Sequence, residues 1–78
     1  MTRVSFEAAY RRDSQVVLPA ILDDRCFCVH FIRNADGTIG EPIVGWIDLE
    51  GPLVDLVKTA AVEWSERNEE YLHALFLK

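Results

Sequence analysis

The spacing of apolar residues along this chain changes once, at Glu50-Gly51-Pro52. Before that point they recur mostly at every second position, the period of a strand with one buried face; after it they recur every third or fourth, the period of a helix. A chain of 78 residues has room for one domain only. A block of strands followed by a helical block therefore predicts a single α+β domain over residues 1–78, with a small antiparallel sheet covered by a C-terminal helix. At this length folding buries only about 60% of the surface of the unfolded chain, so the core must be well filled or completed by another chain. Half of the residues are hydrophobic, which suffices for a core and argues against disorder.

Strands are expected at roughly 3–10, 15–22, 25–33 and 41–49. In the first, Val4, Phe6, Ala8 and Tyr10 alternate with Arg3, Ser5, Glu7 and Arg11, which predicts one buried and one exposed face. The second, QVVLPAIL, contains Pro19, which has no N–H for a ladder; it should lie at a sheet edge or be bulged or interrupted there. The third, RCFCVHFIR, is apolar on both faces, with Phe27, Val29 and Phe31 on one side and Cys26, Cys28, His30 and Ile32 on the other, as in a central strand. Asp36-Gly37 supplies the hairpin turn to the fourth strand. From Pro52, a residue tolerated in a helix's first turn, Leu53, Val57, Ala60, Trp64, Tyr71 and Leu75 mark one helical face over roughly 52–76. The polar run SERN at 65–68 is where that helix is expected to break. The closing YLHALFL is short enough for a strand, but its composition favours helix.

The net charge of −5 is unevenly placed. Residues 1–40 hold five arginines against five acids, whereas 41–78 hold eight acids against Lys58, Arg67 and Lys78. Direct binding to a phosphate backbone needs clustered positive charge, so it is excluded as an expectation. A protein partner with a basic surface is the complement of such a field. The N-terminus lacks the apolar run of a signal peptide, and no stretch approaches the roughly 18 apolar residues that span a bilayer. Two cysteines fall short of a disulfide framework. A cytoplasmic chain without membrane contact is expected.

Chemistry-bearing constellations are few. Cys26, Cys28 and His30 share a strand face, but same-face neighbours stand about 6.6–6.8 Å apart, so Cys26 and His30 are separated by about 13 Å and cannot both reach one zinc ion. Two of them with His73 or an aspartate could complete a shell, yet free cysteines acting as small buried hydrophobes is the simpler reading. NADGTIG fails as a calcium loop: with Gly37 at the sixth position, Ile32 and Ile43 occupy positions that require carboxylates. No serine or cysteine stands in a nucleophile motif with His30 or His73, and Gly37, Gly40, Gly45 and Gly51 form no phosphate-binding run. No catalytic residue, metal or cofactor is assigned, and the chain is expected not to be an enzyme.

Interaction residues remain. Asp55, Glu63, Glu66 and Glu70 project from the polar side of the helix and form the expected partner-binding face, with Trp46 as a candidate anchor on the strand face it shares with Val44 and Asp48. Tyr71, Leu72, Leu75 and Phe76 belong to a segment apolar nearly all round, which needs cover from the sheet or from a second copy in a homodimer. Small bacterial or phage inhibitors of nucleic-acid machinery, anti-CRISPR proteins among them, are similar in size and charge, without a shared motif. The expected function is thus stoichiometric binding to a partner through the acidic helix face, with possible inhibition of that kind; the alternative is a self-associating accessory subunit of a bacterial complex.

Overall fold

The computed structural model describes residues 4–45 and 51–77. Strands β1 (Val4–Phe6), β2 (Tyr10–Arg12), β3 (Gln15–Leu22), β4 (Arg25–Ile32) and β5 (Ile43–Val44) form one antiparallel sheet, followed by helices α1 (Gly51–Arg67) and α2 (Glu69–Phe76). This is the α+β arrangement expected from the change of period. Both β1 and β2 pair with β3, β3 pairs with β4, and β4 pairs with β5.

The first expected strand is bent by a bulge. Phe6 stands opposite Ala20 and Tyr10 opposite Val17, so four steps along the first strand match three along β3, and one extra residue is inserted between β1 and β2. The insertion reverses the alternation. Val4 and Phe6 pack on the core, but beyond the bulge Ala9 is the buried residue, while Ala8 and Tyr10, expected inside, are exposed.

The same bulge explains why Pro19 lies in a strand paired on both sides, not at an edge. Glu7 N–H donates to Pro19 O at 3.0 Å. In an antiparallel ladder a residue's N–H and C=O point to the same neighbour, so the donor that proline lacks faces the residues where the ladder is already interrupted.

Between β3 and β4 the ladder is unbroken, from Gln15↔Ile32 to Leu22↔Arg25. It is closed by Asp23 and Asp24 at φ 49° and 67°, the paired left-handed conformation of a type I′ hairpin turn. The next hairpin is looser. Gly37 N–H bonds Asn34 O at 3.0 Å and Asn34 N–H bonds Thr38 O at 2.7 Å; only Gly37, at φ 90°, takes the left-handed conformation, with Asp36 inside the turn. The returning chain carries its own extra residue: Arg33 faces Ile39 and His30 faces Ile43, so four steps again match three. The described part of the fourth strand begins at Ile43, two residues later than expected, and positions 46–49 of the expected strand lie outside the described residues.

One face of the sheet receives the helices. Val16, Leu18, Ala20 and Leu22 from β3 and Phe27, Val29 and Phe31 from β4 are buried against Val57, Ala61, Leu72, Leu75 and Phe76. Burying each large side chain contributes about 1.5–3 kcal/mol. Trp64 bridges the layers, its ring centroid 6.3 Å from Phe6, 6.1 Å from Phe31 and 6.2 Å from Tyr71.

The helical block breaks within SERN because its polar side chains compete for backbone carbonyls. Ser65 Oγ donates to Val62 O at 2.7 Å and Asn68 Nδ2 to Trp64 O at 2.9 Å, and Asn68 leaves helical geometry at φ −122°, ψ 31°. The chain resumes as helix, so the final apolar segment is not a strand. Glu69 and Glu70 occupy the first turn of α2 and His73 its last, the polarity that the helix dipole favours for the acids. Among the described residues no helix is long and apolar enough to cross a membrane.

Candidate functional site

Two surfaces stand out, one on each side of the molecule. On the helical side, Asp55, Glu63, Glu66 and Glu70 are all exposed. Spacings of eight and three residues keep Asp55, Glu63 and Glu66 on one side of α1, opposite Val57 and Ala61, which are fully buried, and Glu70 stands in the first turn of α2. Glu63 Oε2 lies 3.6 Å from Arg67 Nη2, an exposed i, i+4 pair worth only about 0.3–0.5 kcal/mol. Lys58 Nζ lies 3.1 Å from Glu41 Oε2 and ties α1 to the returning chain. The helical layer thus carries Asp55, Glu63, Glu66, Glu69 and Glu70 against Lys58 and Arg67. Arg67 is the cation at its acidic elbow.

Beside that elbow, the hairpin loop and the helix junction enclose an open cleft of ≈ 360 Å³. Thr38, Gly40, Ser65, Glu66, Glu69 and His73 line it. The loop is held in shape by Asp36, whose carboxylate accepts from Thr38 Oγ1 at 2.6 Å and Thr38 N–H at 2.9 Å. Those two bonds stabilise the ionised form and hold the Asp36 pKa below its ordinary value. Glu69 and His73 are not among the residues assigned to the binding face from the sequence, where His73 is weighed only as a metal ligand or a base. The 66, 69, 73 spacing would align three side chains on an unbroken helix, but the break at Asn68 divides them between α1 and α2, and the loop that completes the cleft arrives from 25 or more residues earlier in the chain.

On the far side of the sheet, Cys26 and Cys28 are free and exposed, not the buried hydrophobes expected. The helices cover the Phe27, Val29 and Phe31 face, which offers more apolar area per residue. His30 is half-buried and its Nδ1 lies 3.0 Å from Gln15 Oε1, so the ring spans from β4 to β3. Its edge also fills the space over Gly45, where an added Cβ would meet Nε2 at 3.1 Å. His73 belongs to α2, on the opposite side of the sheet from the cysteines. Among the described residues no three histidine, cysteine or acidic side chains converge as metal ligands.

The expected self-association segment is mostly used within the chain. Leu72, Leu75 and Phe76 are buried in the core, because the break at Asn68 seats α2 on the sheet. Tyr71 stays 44% exposed, its ring on Trp64 and its hydroxyl donating to Ala9 O at 3.3 Å. Trp46, the other proposed anchor, lies outside the described residues. Comparison with protein-family models, with curated proteins and with solved structures returns no match.

Proposed function

We propose that this chain is a non-enzymatic binding module that acts stoichiometrically, docking the acidic side of its helical layer on a basic surface of a partner protein. The observation that carries this reading is the grouping of exposed Glu63, Glu66, Glu69 and Glu70 around the α1–α2 junction, countered there by Arg67 and opening onto the ≈ 360 Å³ cleft. Carboxylates on a rigid helical layer attract a cationic surface over about a Debye length, 8 Å at physiological salt, and accelerate its encounter. The cleft beside them has room for a lysine or arginine side chain, whose charge would meet Glu66 and Glu69. Proteins that handle nucleic acids carry such basic surfaces, and a phage-type inhibitor that occupies one is the narrower form of the proposal.

Capture of partners from native lysate by the immobilised chain tests it, with the triple variant Glu63→Lys, Glu66→Lys, Glu70→Lys as the comparison. The expected result is a partner retained at low salt by the natural chain, released by added salt or nucleic acid, and lost from the variant while its circular dichroism is unchanged. Equal retention by the variant removes the acidic face from the mechanism.

A further inference from the structure

The side of the sheet that faces away from the helices is apolar and nearly without charge. Its described side chains are Ser5, Glu7, Tyr10 and Arg12 on the first two strands, Gln15, Val17, Pro19 and Ile21 on β3, Cys26, Cys28, His30 and Ile32 on β4, and Ile43 on β5, as the ladder partners require. Its two charged residues, Glu7 and Arg12, sit on the outermost strand. Tyr10, Ile32 and Ile43 are 45%, 39% and 53% exposed, and both thiols face outward. The polar group nearest the middle, the His30 imidazole, already has Gln15 as its partner. Monomeric proteins seldom leave a contiguous apolar patch of more than a few hundred Å² in water. The accessible surface of 5346 Å² also exceeds the roughly 4,800 Å² expected of a compact monomer of this mass.

We infer that this sheet face is the contact surface of a symmetric homodimer, in which a second copy of the chain covers Cys28, Ile32 and Ile43. Charge selects the second copy as the occupant. Face-to-face sheets pack about 10 Å apart and each helical layer lies about 10 Å further out, so the two acidic layers end up roughly 30 Å from one another. That is several times the Debye length of about 8 Å, and the mutual repulsion of two acidic chains is screened in this arrangement. Contact through the helical side would instead press like charges together.

Area sets the strength. Strands about 4.8 Å apart, with about nine residues along β1 and β2 together, eight on each of β3 and β4 and two on β5, at about 3.3 Å per residue make a face of roughly 430 Å². Two copies then withdraw about 860 Å² from water, below the roughly 1,000 Å² of a stable specific interface, so the dimer is a weak, transient one with dissociation in the range of hundreds of micromolar. Symmetry identifies the centre. The middle of the face, where β3 and β4 run side by side, presents exposed Cys28 with half-buried Pro19 and His30 around Val17, which is 1% exposed within the single chain. A two-fold axis passing over that middle brings Cys28 close to Cys28 of the other copy, whatever its direction in the plane. Sheets packed about 10 Å apart hold the two backbones too far apart for a direct disulfide, but within reach of a short bifunctional thiol reagent.

Sedimentation velocity of the reduced chain across a concentration series tests the inference. The natural chain should pass from monomer to dimer mass. Cys28→Lys and, on a different strand, Ile43→Lys should each weaken the dimer at least tenfold, whereas Glu63→Lys should change it less than twofold. In Cys26→Ser, a short bismaleimide should join two chains through Cys28 at concentrations where the dimer is populated. Monomer mass throughout the series overturns the inference, as does a dimer that survives both lysine variants with their circular dichroism intact, one dissolved by Glu63→Lys, or a populated dimer that the bismaleimide fails to join. The partner capture proposed above is read on the helical side, so either proposal can fail while the other stands.

Discussion

Replacing Leu72 by alanine separates two roles for the C-terminal apolar segment. If Leu72 completed an interface with a second copy, its loss would change assembly and leave the single chain's stability nearly unaltered. The structure places it 1% exposed in the core formed by β3, β4 and α1. Removing a fully buried leucine side chain loses its transfer free energy and leaves a cavity, together about 2.7–5 kcal/mol. A domain of 78 residues has a total stability of about 4–12 kcal/mol at about 0.05–0.15 kcal/mol per residue, so a loss near 3 kcal/mol is a large fraction of it. Urea unfolding followed by far-ultraviolet circular dichroism reads the loss directly. With an m value of about 1 kcal/mol/M for so small a chain, the midpoint should fall by about 3 M, with m unchanged. Parallel sedimentation at concentrations where both proteins are folded should show the same assembly state. A midpoint shift under about 0.5 M, the size expected of an ordinary surface substitution, combined with altered assembly would refute the placement of Leu72 in the core.

The remaining predictions concern the turns. Asp24→Gly in the type I′ turn relieves a left-handed conformation that costs a non-glycine residue about 1–2 kcal/mol, offset in part by the greater freedom of glycine when unfolded; a net gain of about 0.5–1 kcal/mol should raise the melting temperature by about 2–8 °C, and a lower melting temperature contradicts the turn geometry. Thr38→Val removes the 2.6 Å hydroxyl bond to Asp36, so the Asp36 carboxyl should titrate closer to its ordinary value by NMR; an unmoved titration shows that the bond does not hold the carboxylate. Because the depressed Asp36 pKa stabilises the fold above the ordinary carboxylate value and loses that contribution as pH falls through the folded value, Thr38→Val should also show a shallower loss of stability on acidification.

What was legible in the sequence was the part governed by period. Val57 and Trp64 face inward and Asp55, Glu63, Glu66 and Glu70 face outward because one residue advances a helix by a fixed angle, and the block divides at SERN because polar side chains there take backbone carbonyls. What escaped was governed by single inserted residues. The extra position between Phe6 and Tyr10 reverses which alanine is buried, and neither Ala8 nor Ala9 carries a side chain that would announce it. Of the alternatives offered for Pro19, the edge position fails and the interruption holds: β3 is paired on both sides, and the ladder is broken opposite Pro19, where the neighbouring strand is bulged. RCFCVHF was ambiguous because both of its faces are apolar. The choice between them was made by the helices, which settled over three large side chains and left two thiols outside. The cleft beside Glu66 and Glu69 depended on a contact between the 34–40 loop and the helix junction, which no local pattern encodes.

The β3–β4 hairpin has a consequence for the order in which the molecule assembles. Its continuous ladder is closed by only two residues, so the chain entropy lost in bringing its ends together is small. Hairpins of this kind form within about 1–10 μs, long before segments separated by dozens of residues find one another. The hairpin can therefore act as the template on which the N-terminal strands and the two helices condense, and damage to its turn should slow refolding more than it speeds unfolding.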